Sequence, residues 1–258
     1  MEESKDKKKM KTKERLAIPV QMMPEQEPSE RVRNIMEVPF GYTPEQAMTE
    51  AMRCLMCKNP ACIDGCPVQI DIPAFIGLVA EGKFHEAAVK IKESNLLPAI
   101  CGRVCPQEEQ CQVVCTVTKS LKDLHKSVQI GKLERFVADW EIDNGPPVEP
   151  VNAPATGKRV AVVGSGPAGL TLAGDLIVKG HEVTIFEALH RPGGVLVYGI
   201  PEFRLPKAIM DLEINNLLKM GVKLVCNAVI GKTKSVYDLL EDGFDSVFIG
   251  VGAGLPMF

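Results

Sequence analysis

Eight of the nine cysteines fall between positions 54 and 115, in two runs. The first reads Cys54-x2-Cys57-x4-Cys62-x3-Cys66-Pro67, and the second Cys101-x3-Cys105-Pro106-x4-Cys111-x3-Cys115. Thiolates two and four residues apart can converge on one small inorganic core, but a short loop cannot wrap every corner of an iron-sulfur cubane, so a fourth ligand has to come from elsewhere. Two runs built this way predict ligands exchanged between them. Structural zinc is the competing chemistry, yet its sites usually pair ligands at short spacing around a finger or hairpin, which two Cys-Pro elements in helical surroundings fit poorly. Disulfides belong to oxidising compartments, and without an apolar signal-type run at the N-terminus the expectation is a cytoplasmic chain with reduced thiols. Cys226 stands apart in an apolar stretch and reads as a buried structural thiol.

A second chemistry-bearing pattern is Gly164-Ser165-Gly166-Pro167-Ala168-Gly169, which follows the apolar run 160–163 and opens a helical pattern. In that context Gly164 allows a tight turn, Gly166 lets backbone approach a pyrophosphate, and Gly169 lets the helix pack close to the strand. The helix N-terminus attracts phosphate charge, and Pro167 sacrifices no hydrogen bond at the first helical position. Glu187, at the end of the next β-branched run, is the acid expected to accept from ribose hydroxyls and to repel a 2′-phosphate. This logic leaves NAD and FAD equally open. The four histidines (His85, His125, His181, His190) match no metal or triad spacing and read as surface or capping residues.

The elements that must position these groups divide the chain by pattern. Residues 23–144 are helical by periodicity. Thr43, Pro44 and Gln46 form a capping-box start that runs into Cys54, Asp71 offers another cap, and 83–94 and 128–142 are amphipathic. Residues 143–157, with Pro146, Pro147, Pro150 and Pro154, cannot sustain a helix or a central strand, which puts a linker at 145–157. From 158 to 258 strands and helices alternate: strands at 160–163, 183–186, 222–225 and 246–249, helices at 167–179, 206–220 and 235–241. Residues 1–22 read as a mobile tail, basic through Lys5, Lys7, Lys8, Lys9, Lys11, Lys13 and Arg15, with docking to an acidic partner as the alternative. A net charge of −3 from 33 acids and 30 bases gives no global field for nucleic acid or an anionic membrane, and no apolar run is long enough to cross a bilayer.

Bacterial-type ferredoxins likewise let the Cys before Pro ligate the other cluster. Residues 39–75, including Arg53-Cys54-Leu55-Met56-Cys57-Lys58-Asn59-Pro60 and Gly65-Cys66-Pro67-Val68, resemble the N-terminal domain of the small subunit of bacterial glutamate synthase. The same module is found in the flavin subunit of NADH-dependent ferredoxin:NADP oxidoreductase and in dihydropyrimidine dehydrogenase. The resemblance covers residues 18–258. It implies an all-helical, ferredoxin-like domain with two 4Fe-4S clusters, followed by a partial Rossmann-type FAD-binding domain, an α plus α/β architecture. One cluster would take Cys54, Cys57, Cys62 and Cys115. The other would take Cys66, Cys105 and Cys111 with a Glu or Gln from the following helix, where Glu134 stands. Composition alone would make Glu134 a solvated helix charge. Cys101 is then left over, packed beside the second cluster without ligating it.

The resemblance also decides the nucleotide. Residues 191–207, with Arg191, Gly193, Gly194, Val195, Gly199 and Ile200, are similar to the loop surrounding FAD in those proteins, and Gly199-Ile200-Pro201 would lie near the isoalloxazine. In the terminal run Gly250-Val251-Gly252-Ala253-Gly254, Gly252 is counted with the flavin site and no nicotinamide site is assigned. The family continues into a nicotinamide-binding Rossmann domain, so NAD(P)H is expected only through a missing domain or partner. Two readings follow. In one the chain is a subunit passing electrons between FAD and the clusters, inactive without another redox subunit that completes the flavin and nicotinamide sites. In the other it is a non-catalytic iron-sulfur wire or assembly module in a larger complex.

Overall fold

Residues 10–145 and 151–253 are described in a computed structural model. The expectations for Lys5, Lys7, Lys8, Lys9, Pro146, Pro147, Pro150 and Gly254 lie outside the described residues.

Up to residue 145 the named elements are helices: α1 (Thr12–Ala17), α2 (Pro28–Arg31), α3 (Pro44–Ala51), α4 (Ala61–Asp64), α5 (Ile72–Ala80), α6 (Phe84–Lys92), α7 (Pro98–Val104), α8 (Thr116–Leu121) and α9 (Ile130–Asn144), with 3-10 turns at Gln107–Glu109 and Leu124–Lys126. The expected caps form. Thr43 Oγ1 accepts from the Gln46 N–H at 3.3 Å while Gln46 Oε1 accepts from the Thr43 N–H at 3.0 Å, and Asp71 Oδ1 accepts from the Ala74 N–H at 3.2 Å. Each satisfies a donor that a helix start leaves free. The core of this half gathers Phe75, Ile76, Ile91 and Leu133, all essentially inaccessible, and Phe84 meets Phe136 edge-on at 4.9 Å.

The rest of the chain is β1 (Arg159–Val163), α10 (Pro167–Val178), β2 (Glu182–Phe186), α11 (Val195–Tyr198), α12 (Lys207–Lys219), β3 (Lys223–Val225), α13 (Val236–Glu241) and β4 (Ser246–Ile249). The four strands make one parallel sheet ordered β3-β2-β1-β4, with Val162 opposite Ile185 on one side and Phe248 on the other. Parallel neighbours require crossovers, and α10 supplies the one from β1 to β2. Residues 190–206 hold only the short α11.

Helix α9 runs to Asn144, so the proline-rich stretch predicted from residue 143 begins two residues later. Helix α7 was not marked by the sequence pattern, and it is the element the two halves share. Its Leu97 and Ile100 lie in the same apolar cluster as Leu170, Ala173, Ile185 and Met210 of the sheet half. On its opposite side a Cβ at Gly102 would lie 2.5 Å from the Arg135 nitrogen, so α7 and α9 meet backbone to backbone. Burying Leu97 and Ile100 stabilises this union by about 1.5–3 kcal/mol for each side chain. No helix among the described residues is long and apolar enough to cross a membrane.

Candidate functional site

Cys54 leaves the end of α3 through a junction that the spacing of the cysteines does not reveal. Glu50 and Arg53 form a buried ion pair, 2.5 Å apart. Arg53 also donates to the carbonyls of Ile18 (3.2 Å), Lys126 (2.6 Å) and Ser127 (2.7 Å), and Glu50 accepts from the N–H groups of Gln21 (2.8 Å) and Gln129 (3.0 Å). A buried pair is tolerated only when its remaining donors and acceptors are met. Here they are met by two other chain segments, 18–21 and 126–129, so the pair locks the N-terminal segment, the Cys54 loop and the approach to α9 together. Arg15 Nη1 adds bonds to the carbonyls of Met52 (2.9 Å) and Cys54 (2.7 Å). The i, i+3 spacing of Glu50 and Arg53 was the one available sequence signal for this junction.

None of the nine cysteines is in a disulfide, and Cys226 is half-buried rather than buried. The two runs cross. Cys57 Sγ donates to Thr116 Oγ1 at 3.3 Å, beside Cys115. Burial pushes the Cys54 thiol up to about 11 and Cys62 to about 12, and charge on Cys115 and Cys57 raises both. In the other direction, a Cβ at Gly65 would lie 3.3 Å from the Cys111 Cα, which sets Cys66 against the second run. Burial pushes Cys105 up to about 11 and Cys111 higher still, with charge on Cys66 and Glu134 adding to each. Thiolates crowded this way are unfavourable until a positively charged core takes up their charge, and thiolate donors are what an iron-sulfur cluster requires.

Glu134 is not the solvated charge that composition suggests. It is 5% exposed, its carboxyl is raised to about 8 by burial, and its Oε1 accepts from Asn95 Nδ2 at 2.8 Å. Cys101 shares the neighbourhood: burial pushes its thiol up to about 12, and charge on Glu134 raises it further. Among the described residues no three His, Cys, Asp or Glu side chains converge as ligands of one metal ion. That convergence belongs to a single ion with bonds of about 2.0–2.3 Å to one point, whereas a cubane distributes its protein ligands over its irons.

The glycine turn lies between β1 and α10. Gly164 has φ +99°, and a Cβ there would lie 2.4 Å from the Gly250 carbonyl oxygen at the end of β4. At Gly169 a Cβ would lie 2.0 Å from the Gly164 oxygen, the close helix approach expected of that position, while Gly166 faces open space. Pro167 and Ala168 open α10. The second loop closes on the first, since a Cβ at Gly194 would lie 2.9 Å from the Gly166 Cα.

Glu187 is buried beneath the turn and engaged with it. Its Oε2 accepts from the Ser165 N–H at 3.0 Å and from the Ser165 hydroxyl, and its Oε1 accepts from the Leu189 N–H at 2.8 Å. Ser165 Oγ in turn accepts from the Gly193 N–H at 2.9 Å, so one hydroxyl ties both glycine loops to one carboxylate. Arg191 forms a two-point pair with Asp211 at 2.8 and 2.9 Å on the surface. Val195 is exposed, and Gly199 follows the short helix α11. Lys207 Nζ, whose role the sequence does not reveal, pins the segment by donating to the carbonyls of Leu196, Ile200 and Leu205 at 3.2, 2.5 and 2.9 Å. Gly252 lies beyond β4 at φ +84°, on the exposed surface. The Val38 N–H donates to the Phe203 carbonyl at 3.1 Å, joining the N-terminal segment to this loop. A cavity of about 1170 Å³ opens elsewhere, between residues 25–44 and α9, with Glu25, Phe40 and Trp140 in its walls.

A family model described as dihydropyrimidine dehydrogenase domain II, 4Fe-4S cluster, matches residues 31–146, and one described as an NAD(P)-binding Rossmann-like domain matches residues 162–217. The NAD-dependent dihydropyrimidine dehydrogenase subunit PreT of Escherichia coli O157:H7 is 40% identical over 86% of this chain and 53% of its own length. The glutamate synthase [NADPH] small chains of Escherichia coli K12 and Halomonas elongata are each 38% identical, over 86% and 89% of this chain and 46% and 48% of their own. Among solved structures, histamine dehydrogenase from Rhizobium sp. 4-9 aligns at 19% identity with a TM-score of 0.39, over 78% of this chain and 26% of its own, a likeness too weak to bear on function. Over 86% of its length this chain is a homologue of PreT and of the glutamate synthase small chain, and it spans about half the length of these relatives.

Proposed function

We propose that the chain is an electron-transfer subunit of an NAD(P)H-linked oxidoreductase, carrying two 4Fe-4S clusters and FAD and handing electrons to a partner subunit. The observation that carries this reading is the crossing of the two cysteine runs, with Cys57 beside residue 116 and Gly65 against Cys111. Crossing suits Cys54, Cys57, Cys62 and Cys115 as the ligands of one cluster, and Cys66, Cys105, Cys111 and Glu134 as those of the other. In this reading residues 23–144 form the cluster domain, 145–157 a linker and 158–258 the flavin-binding part, while residues 12–21 of the expected tail 1–22 are held against the cluster domain by Arg15, Ile18 and Gln21. The turn 164–169 and the loop through Gly193, Gly194, Gly199 and Ile200 would hold the dinucleotide, with α10 directed at its phosphates.

When bound, the flavin takes up an electron pair and the clusters pass single electrons. The chain's own share is positioning. The Glu50–Arg53 pair fixes the Cys54 loop, the Ser165–Glu187 bonds hold the turn in shape, and Lys207 pins the segment that would flank the flavin ring. A relative named as a subunit supports a partner here as well, one that completes the nicotinamide and flavin sites. Thiols reserved for iron suit the reducing cytoplasm.

Anaerobic purification of the whole chain, with iron, sulfide and flavin counted, tests the reading. Two cubanes bring about eight irons per chain, expected together with flavin. Zinc, or no metal at all, would overturn it, while full iron without flavin would leave a cluster-bearing wire in place of a flavin subunit.

A further inference from the structure

Two groups near Cys66, Cys105 and Cys111, the Glu134 carboxylate and the Cys101 thiol, could each complete a cluster, and a buried amide holds the first of them. The close approach of Gly102 to Arg135 sets Cys101, one residue earlier on α7, against Glu134, one residue earlier on α9. Asn95 is buried beside Glu134, and its Nδ2 donates to Glu134 Oε1 at 2.8 Å. Its Oδ1 accepts from the Leu97 N–H at 3.0 Å, so the amide cannot turn away from the carboxylate without stranding a buried donor. Cys101 is anchored independently of any metal. Gln107 Nε2 donates to its carbonyl at 3.0 Å, and a Cβ at Gly131 would lie 2.2 Å from that same nitrogen, which wedges the Gln107 side chain against α9.

We propose that Cys101 is a standby ligand for the cluster that Cys66, Cys105 and Cys111 would hold, and that Asn95, by fixing Glu134, decides which of the two completes it. This rests on the functional reading given above. The exchange needs no oxidant or reductant: an iron–carboxylate bond breaks, an iron–thiolate bond forms, and the thiol proton passes to the released Glu134 carboxylate. A carboxylate and a thiolate donate differently to iron, so the exchange changes the electronic signature of one cluster and leaves the other alone.

The test compares the full-length wild type with Glu134→Ala, Cys101→Ser, the double variant and Asn95→Leu, each purified anaerobically, by iron and sulfide content and by electron paramagnetic resonance after reduction. Wild type and both single variants should hold about eight irons, and the double variant about half that. The first cluster's iron, retained throughout, reports that each variant folds. Glu134→Ala should change the signal of one cluster, and Asn95→Leu should shift the wild-type signal toward that of Glu134→Ala. The proposal is overturned if Glu134→Ala alone loses half its iron, if the double variant keeps all of it, or if Asn95→Leu leaves the spectrum unchanged. A wild type lacking the full iron complement would instead sink the functional reading on which the proposal stands.

Discussion

The Ser165 hydroxyl satisfies two buried groups from different loops, the Gly193 N–H and Glu187 Oε2. Removing it leaves Glu187 Oε2 with the Ser165 N–H but strands the buried Gly193 N–H, and an unmet buried hydrogen-bonding group costs about 1–3 kcal/mol. Ser165→Ala is therefore expected to weaken flavin binding by about tenfold, near the lower end of that range, read by fluorescence titration; wild-type affinity in the variant would show that the turn keeps its shape unaided. The place of Glu187 was legible from spacing, because a strand of known length ends there. Its choice of partner was not, because that depends on where the loop after β2 returns. Glu134 teaches the same lesson: its burial follows from α7 docking on α9 through Gly102, a contact that no local periodicity announces.

At the scale of elements, α7 and α12 are joined by Glu213, whose carboxylate accepts from the Ala99 N–H at 3.2 Å. Burial raises its carboxyl from 4.5 to about 7, with Glu141 pushing the same way and Lys92, the Ala99 N–H and Arg103 opposing. An acid with a raised folded-state value favours folding while protonated. Its contribution is complete below about pH 4.5 and is lost as the pH climbs through about 7. At about 1.4 kcal/mol per unit the full loss amounts to between about 3 and 4 kcal/mol. Glu213→Gln keeps an acceptor for Ala99 and removes the titration, so in urea unfolding it should gain on the wild type as the pH rises from about 5 and level off above about 7; parallel profiles would refute this assignment. Most elements were legible beforehand, since the caps at Thr43 and Asp71 and all four strands form where the pattern put them, and the helix expected at 235–241 forms with Ser235 as its cap. Helix α7 escaped because seven residues with a proline, a glycine and a cysteine show no usable period.

For the whole molecule, the proline-rich segment marks a change of pattern, but the apolar packing does not divide there. Leu97 and Ile100 belong to the core of the sheet half, while the Cys101 and Cys105 that follow on the same chain belong to the cysteine constellation. Heating the flavin-loaded protein without oxygen should therefore bleach the iron-sulfur absorbance and release flavin fluorescence in one coincident transition. Two transitions separated by more than a few degrees would mean that the halves unfold independently. The Val38–Phe203 bond carries a further consequence for anyone building hybrids of such subunits. A splice at residue 145 moves the sheet half without the segment near residue 38 that hydrogen-bonds its loop, and without the apolar face of α7 that completes its core. The transplantable unit is discontinuous in sequence, and a working exchange would have to carry residues 36–40 and 96–104 along with everything after the linker.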